Sequence, residues 1–241
     1  MVWPVTSDVG GYVLAGGKSS RMGRDKALLE LAGKPLVLHA VVKLRRVCAD
    51  VHILSGRPEF DAYAPLVRDL HEGCGPLGGM EAALEHSWHT WNLFMPVDMP
   101  FLPSSFLDWW VRTVVARERM GTRVALLTVE GRPQPTFCLL HKEVTPYVQR
   151  AMERGEFKVF PALEAAGKEL AARQGVLLGI AFFNLPWDGS AEFGRRMDGV
   201  EGERWWMPTE AQLAVKHLWF ANLNTPKEFA EAEQFVDALD T

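Results

Sequence analysis

Cysteine is scarce. Only Cys48, Cys74 and Cys138 occur in 241 residues, far apart and with no Cys-x-x-Cys pair. Neither a disulfide framework nor a structural zinc site is therefore expected, and a reducing cytoplasm suits the chain. Long hydrophobic runs are missing too. Met1-Val-Trp-Pro4 is not a basic segment leading into an apolar one, and no stretch elsewhere is apolar enough to span a bilayer. A membrane-spanning role and an obvious export signal are thereby excluded, and a soluble cytoplasmic protein is expected. Charge is not in large excess: a formal net charge of −4 and a pI of about 6.0 argue against broad binding to nucleic acid or acidic lipid. Any anionic ligand must meet a local cluster of cations. What is present, 48% hydrophobic and 23% charged residues, excludes disorder and suits a single domain over residues 1–241 with a sizeable core.

The cation cluster lies in Gly11-Tyr-Val-Leu-Ala-Gly-Gly-Lys-Ser-Ser-Arg-Met-Gly-Arg-Asp-Lys-Ala-Leu-Leu-Glu30. Tyr12 to Ala15 reads as a short buried strand that breaks at Gly16-Gly17 into a loop carrying Lys18, Arg21, Arg24 and Lys26. Glycines let the backbone approach an anion and turn N–H groups toward it, and fixed cations add charge-assisted hydrogen bonds. Two familiar phosphate loops fail on spacing. Lys26 is followed by Ala27 instead of Ser or Thr, and Gly-x-Gly-x-x-Gly never forms. The loop is a different nucleotide cradle.

Along the chain, residues 1–10 read as an extension in which Pro4, Asp8 and Gly10-Gly11 delay the first strand. Pro35 opens a helix ending near Arg45-Arg46, and Asp50–Leu54 forms a second strand. Ser55 and Arg57 follow that strand, where either a nucleotide contact or an ordinary turn is expected. Pro65–Asp69 reads as a third strand, Gly73–Gly79 as a loop able to cap an anion or edge a base, and the residues from Met80 as a helix. His86 and His89 on that helix read as a solvated face, with a metal pair as the alternative. Trp91–Val97 is an apolar strand ending at Asp98, and a carboxylate there needs a partner such as a cation, a set of donors or a metal. Magnesium suits the position because it takes oxygen ligands and is often held by only one or two carboxylates plus phosphates. A helix from Ser104 or Ser105, strands at Val124–Val129 and Pro135–Leu140, and two helical segments between Lys142 and Gln174 follow. Residues 187–216 break any regular pattern and read as an elaborated loop, with a lid or an oligomer contact as alternatives. In a strand, Asn222 and Asn224 would face one side, and Thr225-Pro226 caps a final helix.

Leu14-Ala-Gly-Gly-Lys-Ser-Ser-Arg-Met-Gly-Arg-Asp-Lys26 resembles the opening motif of the molybdenum cofactor guanylyltransferases, within the nucleotidyltransferase superfamily. Gly75-Pro-Leu-Gly-Gly79, Pro96-Val-Asp-Met-Pro-Phe-Leu102 and Phe220-Ala-Asn-Leu-Asn-Thr-Pro226 are similar to further motifs of that family. The resemblance spares residues 1–10 and 187–216, and it implies a three-layer α/β/α, Rossmann-like nucleotidyltransferase fold with a mostly parallel central sheet. It also implies transfer of GMP from GTP to the terminal phosphate of molybdopterin, with release of pyrophosphate. Arg21, Lys26 and Asp98 take the catalytic roles, Asp98 as the magnesium ligand. Nucleotide and acceptor contacts fall to Leu14, Ala15, Gly16, Gly17, Ser55, Asp69, Gly78, Asn222 and Asn224. Relatives with Gly at the position of Gly16 tend to use GTP and those with Ala use CTP, so guanine is expected. Transient contact with molybdenum insertion proteins or apo-molybdoenzymes is implied, with no nucleic acid and no membrane. The rivals are a cytidylyl- or sugar-phosphate nucleotidyltransferase and, from another class, a non-catalytic nucleotide- or pterin-binding delivery protein.

Overall fold

The structure, a computed structural model, describes residues 6–16, 25–187 and 208–240. The chain enters through β1 (Thr6–Leu14), makes a small hairpin from β2 (Glu30–Leu31) and β3 (Lys34–Pro35), and continues into α1 (Leu36–Arg45), β4 (Cys48–Leu54) and β5 (Leu66–Val67). Then come α2 (Gly75–His86), β6 (Trp91–Pro96), α3 (Ser104–Ala116), β7 (Val124–Val129) and β8 (Arg132–His141). α4 (Thr145–Glu153), α5 (Val159–Gln174), α6 (Leu178–Ala181) and β9 (Phe182–Trp187) follow, and α7 (Glu210–Ala214) and α8 (Pro226–Ala232) lie in the last described stretch.

Seven strands form one sheet in the order β5-β4-β1-β6-β8-β7-β9. Neighbours pair in parallel except where β8 lies antiparallel to both β6 and β7. Successive strand residues face opposite sides, and each side buries its own helices. Val13, Leu93 and Ala125 pack with α1 and α3, joined on that side by Trp219, Phe220 and Leu239; Tyr12, Phe94 and Leu126 pack with α2, α4 and α5. The expected three-layer arrangement is thus present. In an open sheet of this kind the ligand crevice lies beyond the carboxyl ends of the parallel strands, here at Leu14, Leu54 and Pro96.

The structure corrects several local expectations. β1 starts at Thr6, so Gly10-Gly11 sits inside the strand instead of delaying it. These glycines serve close packing: a Cβ on Gly10 would lie 2.8 Å from the His89 ring, and one on Gly11 3.0 Å from the Cys48 sulfur. α2 begins at Gly75, with Pro76 in its first turn, so Gly75–Gly79 is helix and not loop. His86 closes that helix, and His89 lies beyond it, buried, with Nε2 3.0 Å from Asp50 Oδ1; it is not part of a solvated helical face. Residues 221–224 do not form a strand; Leu223 N donates to Asp98 O at 3.2 Å. Thr225 caps α8 as expected, through a reciprocal box with Glu228.

Candidate active site

Three segments meet at the carboxyl edge of the sheet. β1 ends between its neighbours: Ala15 N donates to Leu54 O and Val97 N to Leu14 O, both at 3.4 Å. Leu14, Ala15 and Gly16 thus lie between the segment that continues into Ser55 and the one that continues into Asp98. Lys26 Nζ donates to Asp98 Oδ2 at 2.7 Å and to Asn224 Oδ1 at 2.6 Å, joining residues 72 and 198 positions away in sequence. The ammonium and the carboxylate are largely buried, with side-chain exposures of 14% and 18%. Asp98 Oδ1 is buried and has no hydrogen-bond partner among the described residues. A buried carboxylate oxygen left unpaired is costly, so Asp98 keeps one acceptor that no hydrogen bond among the described residues satisfies.

Asn224 is fixed from behind: its Nδ2 donates to Asn222 O at 3.0 Å, and its backbone N donates to Glu228 Oε2 at 2.6 Å. The Asn224 amide, with the Thr225 amide and hydroxyl and the nearby Lys26 charge, holds the Glu228 carboxyl below its ordinary range against a small opposing effect of burial. Asn224 therefore points its side-chain oxygen at Lys26, whereas Asn222 is exposed and contributes its carbonyl.

The remaining sequence candidates divide. Ser55 is buried, and its hydroxyl accepts from Arg57 N at 3.2 Å, the geometry of a turn. Arg57 pairs with Asp25 and Glu59. Asp69 lies across Gly79, where an added Cβ would be 3.4 Å from Asp69 Oδ1 and 3.5 Å from Leu54 Cβ; burial pushes its carboxyl upward. Gly78 is turned instead toward Cys74, the His71 carbonyl and Met152. Gly16 has ordinary room for a Cβ, its nearest neighbour being Leu54 O at 3.6 Å. Neither its backbone conformation nor packing against the described residues demands glycine there. Gly17, Arg21 and most of 187–216 lie outside the described residues.

Two supporting residues were missed in the sequence. Asp25 Oδ1 accepts from Ala27 N at 2.8 Å, capping the short 3-10 turn Lys26–Leu28 that presents Lys26, while Oδ2 takes Arg57. Glu228 was legible, because Thr225-x-x-Glu228 is a capping-box pattern. No group of three or more His, Cys, Asp or Glu suited to a metal occurs among the described residues.

The MobA-like NTP transferase domain matches residues 11–167, a span that holds Lys26 and Asp98. A molybdenum cofactor guanylyltransferase from Serratia proteamaculans is 34% identical over 185 residues, 74% of this chain and 89% of that protein. One from Vibrio atlanticus is 34% identical over 152 residues, 61% of this chain and 76% of that protein. The crystal structure of molybdopterin-guanine dinucleotide biosynthesis protein A from Archaeoglobus fulgidus aligns with a TM-score of 0.67 over 95% of this chain and 100% of that one, at 21% identity, a likeness of fold. With a domain match covering well over half its length, the chain belongs to the MobA-like NTP transferase family.

Proposed function

We propose that the protein is a molybdenum cofactor guanylyltransferase: it transfers GMP from GTP to the terminal phosphate of molybdopterin, or of its molybdenum-loaded form, and releases pyrophosphate. The observation that carries this reading is the convergence of Lys26, Asp98 and Asn224 at the carboxyl edge, with one Asp98 oxygen buried and open. Family membership and the named relatives support it.

In the reaction an oxygen of the pterin phosphate attacks the α-phosphorus of GTP, the bond from that phosphorus to the oxygen bridging to the β-phosphate breaks, and pyrophosphate departs. No covalent enzyme intermediate is required; catalysis rests on positioning and on charges prearranged for the transition state. Lys26, held by Asp98 and Asn224 in the free protein, donates to the triphosphate. Arg21 assists it from the glycine loop. The open Asp98 Oδ1 fits magnesium, a hard cation content with one carboxylate, phosphate oxygens and water. Magnesium, when bound, supplies positive charge to the α-phosphate and the leaving group. Leu14, Ala15, Gly16 and Gly17 form the nucleotide cradle, with Asp69 at the nucleoside and Asn222 and Asn224 on the acceptor side. The room left at Gly16 supports a base edge pressed against that backbone and hence guanine.

The whole chain is read as one nucleotidyltransferase domain working in the cytoplasm, in transient contact with molybdenum insertion proteins or apo-molybdoenzymes. No helix among the described residues is long and apolar enough to cross a membrane. The test is pyrophosphate release with magnesium and molybdopterin, offering GTP, CTP, ATP and UTP separately and weighing the product. A guanine dinucleotide formed with GTP alone is expected. Preference for CTP would reassign the base, and GTP binding without turnover would favour a delivery protein.

A further inference from the structure

A second carboxylate, outside the site just described, gathers the segments that build it. Asp240 Oδ2 accepts from Ser104 N at 2.5 Å and Ser104 Oγ at 2.6 Å, and from Lys43 Nζ at 3.3 Å. Asp240 Oδ1 accepts from Gln212 Nε2 at 2.8 Å and faces Arg46 at 3.7 Å. The side chains of Lys43 and Asp240 are only 1% and 8% exposed. Burial alone would raise the Asp240 carboxyl, but the Lys43 ammonium, the Ser104 hydroxyl and amide and the Arg46 guanidinium together hold it below its ordinary value.

Each partner leads to the site. Ser104 opens α3 directly after the loop Asp98–Pro103, whose two ends are therefore held, one by Leu223 N on Asp98 O and the other by Asp240. Pro103 has no side chain able to cap α3, so Asp240 supplies the cap and a negative charge at the positive end of the helix. Gln212 belongs to α7, and its carbonyl accepts from the fully buried Trp219 Nε1 at 2.9 Å, fixing the stretch that runs on to Asn222 and Asn224. Lys43 lies on α1, the helix that follows the Lys26 turn and the β2–β3 hairpin.

We infer that Asp240 is a positioning residue for the transfer reaction: through Ser104 and Gln212 it fixes the Asp98 loop and the Asn224 segment relative to each other. Its role in turnover rests on the transferase reading; its role in geometry does not. Both carboxylate oxygens are needed, because an amide in their place offers one acceptor and turns an NH2 toward a donor.

The test compares wild type, Asp240→Asn, and the double variant Lys43→Met with Asp240→Asn, which removes the buried charges together and so restores electrical balance in the core. Three quantities are read: melting temperature, kcat and KM for GTP, and hydrogen exchange of the Leu223 amide against a central amide such as Phe94. The single variant loses both stability and kcat. The double variant regains most of the melting temperature while kcat stays about 10- to 100-fold low, the range a misplacement near 1 Å produces, and KM for GTP changes by no more than about threefold. Its Leu223 amide exchanges at least about tenfold faster while Phe94 keeps its protection. Recovery of kcat and of Leu223 protection along with melting temperature would overturn the proposal and leave Asp240 a stability residue. A wild type without turnover would overturn the transferase reading instead, and the exchange result would still decide the positioning role.

Discussion

Asp98 and Asp240 are both largely buried carboxylates facing a lysine, yet they are solved differently. Around Asp240 both oxygens are taken: backbone, hydroxyl, ammonium, amide and guanidinium groups surround them. Around Asp98 one oxygen takes Lys26 and the other has no partner among the described residues. Saturation is what structure requires of a buried charge, because an unpaired one costs several kcal/mol after relaxation (about 3–5 when a partner is removed). An acceptor left open at a crevice is tolerated where a ligand will complete it. The contrast separates a carboxylate whose two oxygens are both satisfied by the fold from one that keeps an unsatisfied oxygen beside Lys26.

The largest effect should come from breaking the open one. Asp98→Asn keeps size and removes the charge; turnover is expected to fall by about 10³-fold or more, since an electrostatic contact to the reacting phosphates is lost. Stability, by denaturant unfolding, should fall by about 1–3 kcal/mol, because Lys26 loses its counter-ion but keeps Asn224 and some exposure to water. A large stability loss with activity retained would invert the comparison. Asp240→Ala should weigh more on stability and less on turnover. Leaving Lys43 buried without its counter-ion is expected to cost about 3–5 kcal/mol, read from the same unfolding curves.

Acid should distinguish the hub from other buried polar groups. Asp240 is held below its ordinary value of 3.8, so its contribution is complete above that pH and is lost only below it. His141 behaves differently. Burial first, and then the Arg123 guanidinium, push it down to about 4 from 6.5, against the pull of Glu143 and Glu118. Its Nδ1 accepts from Glu143 N at 3.1 Å, which requires a neutral ring at that nitrogen. Between pH 6.5 and 4 the unfolded chain then binds a proton that the folded one does not. Stability should therefore fall with falling pH across this window, by an amount on the order of 3 kcal/mol for His141. His39 and His52 shift the same way. Unfolding curves taken across the window should flatten in His141→Gln but not in Asp240→Asn.

Much of this was legible in the sequence. The apolar run from Trp91 marks β6, which ends at Pro96 just before Asp98, and the run from Tyr12 lies on β1, which ends at Leu14 ahead of Gly16. Pro35 and Thr225-Pro226 mark helix starts because a ring-fixed φ and a hydroxyl acceptor have few other uses there. Other glycines misled, since absence of a side chain serves tight packing as well as turning: Gly10 and Gly11 admit His89 and Cys48, and Gly79 admits Leu54 and Asp69 within a helix. Spacing alone puts Asn222 and Asn224 on one side of a strand, whereas no strand forms there and the stretch is held by Leu223 N on Asp98 O and by the bonds of Asn224 to Glu228, Asn222 and Lys26. The Asp240 hub left no local trace. Its bonds to Lys43 and Ser104 span 197 and 136 residues, and no periodicity reports contacts at that range.

Glycine offers the finest test of the same contrast. Along β1 and its continuation, a methyl group at Gly10 would strike a buried ring at 2.8 Å, while one at Gly16 would meet, among the described residues, only the Leu54 carbonyl at 3.6 Å. Packing dictates the first glycine and not the second. Gly16→Ala should therefore leave the melting temperature unchanged or raise it slightly, by the roughly 0.4–1 kcal/mol that alanine gains where glycine's freedom is unused. If the space at Gly16 belongs to a guanine edge, the added methyl should lower kcat/KM for GTP by about tenfold, a modest penalty of the size one methylene imposes on a fitted pocket. Activity with CTP should fall less or rise, because a smaller base need not press against that backbone. Equal loss with both nucleotides would mean that the methyl disturbs the phosphates and not the base, and the open edge would then be a triphosphate site whose base selection lies elsewhere.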